Sequence, residues 1–437
     1  MLWAAAGAAT LGLLIALEFA AHHYGEHGPV VNTARELVLT PRSGPLLYAG
    51  LALTMVVLTW RQRLIAAAAA VGIDGVFLLV RWAIGASPQF GNGALWVLMG
   101  CAAAGIALRR GEERALLLKG AGLGLLLVAG HKIGDTWLLI TSKTRPSVLD
   151  AYTATADHAL GDPSWVAGRI VEASGPFGSH FLHLVYGQLP LAAALVGLYQ
   201  LRHVAVERRF PRHHLVRTFL AIGLLGPVVY MLFPVVGPVF AYGAEGGRWA
   251  AADVWPHTLP SIGVPHPFPF DQITPRNCMP SLHTAWATSL FIHTRKGSRP
   301  VRWAGAFWLV ATLAATLGFG YHYGTDLLAG AVFALTIDAA LRATADGWAL
   351  WDRAATRLTV HGSAVFVLLL VSYRYLPTHM AARPWLFGPL LLAATASVVH
   401  QYVRVTRGWD ARSEPEPRPG ARLVGPQSVA EAEAGAA

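Results

Sequence analysis

The chain has 437 residues, 54% of them hydrophobic and only 13% Asp, Glu, Lys or Arg. A soluble globular chain carries about 25% charged residues, so half that share over this length excludes an ordinary cytosolic protein, a disordered chain and a coiled coil. The net charge of +10 raises nucleic acid as a partner, a reading that the placement of the charges tests.

From the N-terminus the apolar residues fall into about twelve blocks of roughly membrane-spanning length. They are Leu2–Ala20, Gly44–Trp60, Leu64–Ile84, Phe90–Leu108, Ala115–Ile140, Phe181–Leu201, Leu215–Phe240, Ser281–Thr294, Val301–Phe319, Tyr323–Leu341, Leu358–Tyr373 and Trp385–Val403. Strand-type alternation is absent, which argues against a closed β-barrel. Backbone groups in lipid must bond internally, which leaves an all-α polytopic transmembrane bundle. The first block lacks the basic lead-in of a signal peptide and is expected to be a retained helix. Cys101 and Cys278 cannot build a disulfide framework or a four-Cys metal site. Each is expected to act as a small buried apolar residue.

With the N-terminus inside and each helix crossing once, about two-thirds of the Lys and Arg residues fall on the cytoplasmic side. Basic runs such as Arg202–Arg209 then read as topology signals beside anionic lipid, and no nucleic-acid partner is expected. Two outer loops are long, about Thr141–His180 and Ala241–Pro280, the second rich in Pro and aromatics around Val264–Phe270. Loops of that length in a compact protein often carry function. The tail from Asp410 onward lacks apolar periodicity and is expected to be disordered.

On this topology three polar stretches meet at the outer helix ends: Ser142–Pro146, Arg276–Thr284 and Gly320–Asp326. His322 and Asp326 stand four apart, the spacing of one helix face. A carboxylate on one imidazole nitrogen fixes the tautomer and frees the other as nucleophile or base. Pro280 and Ser281 suit the start of a helix, whose free N–H groups can hold an anion, and His283 lies in the same turn. Arg145 and Arg276 offer forked donors that match phosphate. Together these parts describe metal-free phosphoryl transfer, with one histidine attacking and the other protonating the leaving oxygen.

Pro280-Ser281-Leu282-His283 and His322-x-x-x-Asp326 resemble the second and third signatures of the type 2 phosphatidic acid phosphatase superfamily. The run Met279–Trp286, with Tyr230–Pro238 before the loop, looks closest to its inositolphosphotransferase-like branch, which includes inositol phosphorylceramide synthases. The resemblance implies a six-helix catalytic core at residues 115–341. It leaves four accessory helices at 1–114, further accessory helices at 342–407 and a disordered cytoplasmic tail at 408–437. It implies His322 as the nucleophile that becomes a phosphohistidine, Asp326 as its orienting group and His283 as general acid, with Ser281 and Arg145 on the phosphate. The lysine of the first signature is replaced by Leu138, and Lys143 lies too close and Lys132 too far to fill its place. Lys143 stays among the candidate substrate contacts. The Ser-Arg that often precedes the nucleophile is Ala315-Thr316 here, and Arg276 is expected to supply the lost charge.

Lys132 and Asp135 are expected to pair with each other within the membrane, and Asp74 and Asp338 to be packing or inner-end charges. The 18 histidines show no spacing such as His-Glu-x-x-His, so no metal and no cofactor are expected. The expected partners are membrane lipids and a phosphorylated lipid substrate, with water or a polyol as acceptor. A transporter or lipid flippase is the alternative, although no internal repeat supports it.

Overall fold

A computed structural model describes residues 2–243, 251–256, 258–270, 274–344 and 352–413. Every apolar block becomes helix. The N-terminal part runs α1 (Leu2–His23), a short α2 (Pro29–Arg35), α3 (Gly44–Met55), α4 (Trp60–Ala83) and α5 (Asn92–Ala107). It leads into α6 (Gly111–Thr144), whose 34 residues give a rod of about 51 Å, longer than a hydrocarbon core of about 30 Å. Glu112 and Glu113 sit in its first turn, where negative charge favours the helix dipole.

The predicted loop Thr141–His180 is largely helical. A two-residue strand β1 (Ser147–Val148) is followed by α7 (Asp150–Asp157), α8 (Pro163–Ala173) and α9 (Gly175–Gly187), and α10 (Leu189–Leu201) continues from a break at Gln188. Pro163, Pro176 and Pro190 each stand in a first turn, where a missing N–H costs nothing. Short helix starts hid this region from an apolar-block reading, because the segments bury small and polar residues such as Thr153, Ala156 and Asp157.

Next come α11 (Val204–Glu207), α12 (Leu215–Leu232), α13 (Pro238–Ala241), α14 (Ala251–Val254) and β2 (His266–Pro267). The seventh block therefore ends at Leu232 rather than Phe240, since Pro234 lies just beyond. The chain closes with α15 (Leu282–Thr294), α16 (Arg299–Gly318), α17 (Gly324–Ala343), α18 (Arg353–Tyr375), α19 (Pro377–Ala382) and α20 (Pro384–Ser413). The last helix extends past Asp410, and the tail beyond Ser413 lies outside the described residues. Eight of these helices are long and apolar enough to cross a membrane, and the protein is an integral membrane protein of all-α polytopic fold.

α17 is the hub: 67% of its apolar window is buried, against 17% for α4. It packs on α12, α15, α18 and α20, while α4 turns Val71, Val76 and Leu79 outward. Gly330 lets α15 close on α17, since a Cβ there would lie 2.4 Å from the Ser281 carbonyl oxygen. In lipid, where apolar surface drives little association, such close approach of backbones supplies packing. The two outer loops are tied by β1 and β2, which pair antiparallel with Ser147 opposite Pro267 and Val148 opposite His266.

The buried charges pair differently from expectation. Lys132 donates to Glu36 Oε1 at 2.7 Å and to Ser43 Oγ at 3.2 Å, whereas Asp135 lies 3.2 Å from His131. A buried ammonium needs a buried carboxylate, and Glu36, 5% exposed, meets that need better than the half-exposed Asp135. Asp74 is a packing charge, accepting from Tyr48 O–H and the amides of Gly91 and Gly93. Asp338 lies about 18 Å along α17 from Asp326 and gathers His213, His293, Thr218, Arg342 and Tyr402. It fastens α12, α15 and α20 to the hub at the end opposite the site.

Candidate active site

The turn from α16 to α17 builds the site. His322 precedes α17 rather than lying on it: Tyr323 is the N-cap and Asp326 stands at the third helical position. The Tyr323 amide donates to Asp326 Oδ2 at 2.9 Å, a capping contact that satisfies one of the helix's free N–H groups. The same carboxylate oxygen lies 3.4 Å from His322 Nδ1. The His322 backbone is fixed on both sides, its amide donating to Thr316 O and its carbonyl accepting from Ser164 Oγ at 3.0 Å. Thr316, at a departure from the family pattern, thus holds the loop through its carbonyl.

Cys278 belongs to this cluster and is not merely apolar filling. Its Sγ donates to Asp326 Oδ2 at 2.6 Å and lies 3.2 Å from His322 Nδ1. Burial, with Asp326 beside it, holds the thiol well above its usual range. A fully buried, protonated thiol is a poor nucleophile, so the reactive member of the trio is the imidazole. Burial pulls His322 down to about 4, which keeps it neutral at pH 7. The donor atoms of Cys278, His322 and Asp326 lie within 4.8 Å of one another, as do those of His213, His293 and Asp338, and either set could hold a metal ion. In the first, the thiol donates to Asp326 Oδ2, while Asp326 Oδ1 is buried without a partner among the described residues.

His283 faces the trio from the first turn of α15, its ring centroid 6.5 Å from that of His322, a separation one tetrahedral phosphate can bridge. Tyr186 stacks on His283 at 4.1 Å and its hydroxyl lies 3.0 Å from His283 Nδ1. That contact leaves Nε2 as the working nitrogen. Ser281 is the N-cap of α15: its Oγ accepts from the Thr284 amide and its own amide donates to Asp326 O at 3.2 Å. Pro280 therefore precedes the helix instead of opening it. Ser281 is fully buried and orients α15 on α17.

The basic residues gather less closely than expected. Arg145 ends α6 with its side chain exposed and lines a cleft of about 300 Å³ together with Arg374. Neither histidine lines that cleft. Lys143 is engaged elsewhere, donating to Glu26 Oε1 and Tyr24 O, each at 2.9 Å. Arg276 is fully buried and donates to the carbonyls of Phe268, Thr274 and Arg145. It clamps the outer loop to the end of α6, so its charge organises Arg145 in preference to replacing the missing lysine.

Two aspartates of α7 complete the frame. Asp150 accepts from the amides of Val236 and Gly237 and from Tyr323 O–H at 2.9 Å. Gly237 has φ +100° and would place a Cβ 2.3 Å from Tyr321 O, so only glycine fits there. Asp157 accepts from the Thr325 amide at 2.8 Å and so holds the start of α17 from outside. Asp150 and Asp157 are two helical turns apart, on one face, and that spacing is the signal by which the sequence could have shown them.

Burial pushes Asp157 up to about 8, against the pull of the Thr325 and Gly324 amides. An acid whose folded pKa lies above its unfolded value binds the extra proton in the native state, so its contribution declines as pH rises from about 4 to about 8. Asp157→Asn keeps an acceptor for Thr325 and removes the titration. It is expected to melt like the parent at pH 5 and above it at pH 8. Parallel melting curves across that range would show that Asp157 does not titrate there.

Residues 156–340 match the family model of the PAP2 superfamily, and residues 1–140 match that of a domain of unknown function (DUF5933). The matched segment holds Arg276, Ser281, His283, His322 and Asp326, and leaves Lys143 and Arg145 outside. No curated protein and no solved structure matches the chain. The chain is a polytopic membrane protein, and its residues 156–340 are similar to the PAP2 superfamily. Such domains are generally those of phosphatases and phosphotransferases, and this one points to a membrane phosphatase-type phosphoesterase.

Proposed function

We propose that the protein is a metal-independent phosphatase or phosphotransferase that acts on a lipid-linked phosphate through a phosphohistidine, with its site on the extracytoplasmic face. The observation that carries this reading is the buried, neutral His322, its Nδ1 3.2 Å from Cys278 Sγ and 3.4 Å from Asp326 Oδ2, its ring facing that of His283 across 6.5 Å. His322 Nε2 gives its lone pair to phosphorus, and the phosphorus–oxygen bond to the lipid breaks. His283 delivers its proton to the departing oxygen. In the second half His283 takes a proton from the acceptor, whose oxygen attacks phosphorus as the phosphorus–nitrogen bond breaks. Amides at the start of α15 stand where charge develops on phosphate.

Water as acceptor gives a phosphatase, and a polyol hydroxyl gives a phosphotransferase. The inositolphosphotransferase-like motifs lean toward the second. The extracytoplasmic placement is supported by the basic residues, which crowd the loops at the opposite helix ends.

Purified protein supplied with phosphatidic acid, polyprenyl phosphates and nucleoside-diphosphate-linked lipids is expected to release or transfer phosphate. Vanadate, which adopts the five-coordinate geometry of the transition state, is expected to stop turnover, and EDTA to leave it unchanged. Absence of turnover on all these lipids would overturn the reading, and loss of turnover in EDTA would overturn its metal-free part.

A further inference from the structure

A second, larger cleft lies away from the two histidines, between the segment that follows α1, the outer half of α4 and the middle of α6. It encloses about 1010 Å³, within the range of pockets that hold drug-sized or larger ligands. Its floor reaches Lys132, about 18 Å along α6 from Thr144. One wall is apolar, formed by Val76 and Val80 of α4, a helix that is itself little buried, and by Ile84 just beyond its end.

The polar wall carries unused capacity. The acids that line the cleft are all paired, Glu26 with Lys143, Glu36 with Lys132 and Asp135 with His131. Arg35 and Arg42 line it too, are exposed, and make no side-chain hydrogen bond or ion pair among the described residues, although Arg42 stands within electrostatic reach of Asp135. Deeper in, Glu36 Oε2 and Thr136 Oγ1 are buried without a partner. Glu36 is 5% exposed, and an unpaired carboxylate oxygen at that burial is costly unless a donor meets it.

We propose that this cleft is a binding site for an anionic phospholipid whose head carries free hydroxyls. The phosphate sits against the guanidinium groups of Arg35 and Arg42, a hydroxyl donates to Glu36 Oε2, and one acyl chain lies along α4. The exposed guanidinium groups fix the charge of the ligand, the orphan carboxylate oxygen fixes its donor, and the apolar wall fixes its tail. The site needs no chemistry at His322. Phe270 and Thr274 line the cleft, and neither His283 nor His322 does.

The test uses the full chain purified in detergent and incubated with defined lipids, with retained lipid counted by native mass spectrometry. Phosphatidylglycerol is expected to be retained and phosphatidylcholine to be washed off. Phosphatidic acid, which has the phosphate without the polyol, is expected to bind more weakly than phosphatidylglycerol. The double variant Arg35→Glu/Arg42→Glu changes two exposed side chains and is expected to lose roughly tenfold in phosphatidylglycerol affinity, with its helicity unchanged. His322→Ala is expected to retain the lipid as the parent does, so failure of the catalytic reading and failure of this one separate. Equal retention of phosphatidylcholine, or parental affinity in the double variant, would overturn the site. Equal binding of phosphatidic acid would overturn the contact to Glu36.

Discussion

Replacing His322 with alanine is expected to lower turnover of a lipid phosphate by on the order of 10⁴-fold or more, the scale on which removal of a nucleophile acts. The reason lies in how little else in the site can attack. Cys278 is fully buried, donates its proton to Asp326 and is held as a thiol. Ser281 is fully buried as a helix cap. Within the trio of Cys278, His322 and Asp326, the imidazole alone combines neutrality with a free nitrogen. The fold should survive the change, because the His322 backbone keeps its bonds to Thr316 and Ser164 and Asp326 keeps those from Tyr323 and Cys278.

A covalent test is sharper than the rate. After an acid-free quench, radiolabelled substrate is expected to leave label on the parent protein that is stable in base and lost in acid, as a phosphorus–nitrogen bond requires. His322→Ala should carry none. Label that persists in the variant would move the nucleophile to another residue. In the parent, kcat/KM is expected to fall as pH drops through about 4, where His322 gains its proton.

The sequence made the chemistry legible only where its parts are local. Asp326 lies four residues from His322, Ser281 two from His283, and the apolar blocks mark helices whose composition must match lipid. What it could not show are partners set by packing. Tyr186 meets His283 across 97 residues, Asp150 meets Tyr323 across 173, and Asp157 meets Thr325 across 168. Cys278 reads as apolar filling because the two groups that give it polar work stand 44 and 48 residues away.

The errors share that cause. Lys132 and Asp135 are neighbours on one helix face, yet Glu36 offers a drier carboxylate from 96 residues away. Arg276 looked like a phosphate ligand because guanidinium matches phosphate. It matches backbone carbonyls equally well, and the outer loop supplies three of them. The spacing of His322 to Asp326 suggests that both lie on the helix, but the capping contact of Asp326 to Tyr323 starts α17 two residues after His322.

His283→Ala is expected to cost about 10²–10⁴-fold on lipid phosphates, the range that general acid catalysis supplies. The size of the loss should depend on the leaving group. A lipid alkoxide is a strong base and cannot depart without a proton. A nitrophenolate departs unaided, so nitrophenyl phosphate is expected to recover most of the lost rate in the variant, while it rescues nothing in His322→Ala. The Tyr186 hydroxyl lies at His283 Nδ1, and in the imidazolium that acts as the acid Nδ1–H donates to that hydroxyl, which leaves Nε2–H for the leaving oxygen. Tyr186→Phe keeps the stacked ring and removes only that hydrogen-bond partner, so its loss should be smaller than that of His283→Ala and should fade on the same leaving groups. A loss in His283→Ala that is equal on alkyl and nitrophenyl esters would mean that this histidine binds phosphate and transfers no proton. The acid would then have to be sought elsewhere around the trio.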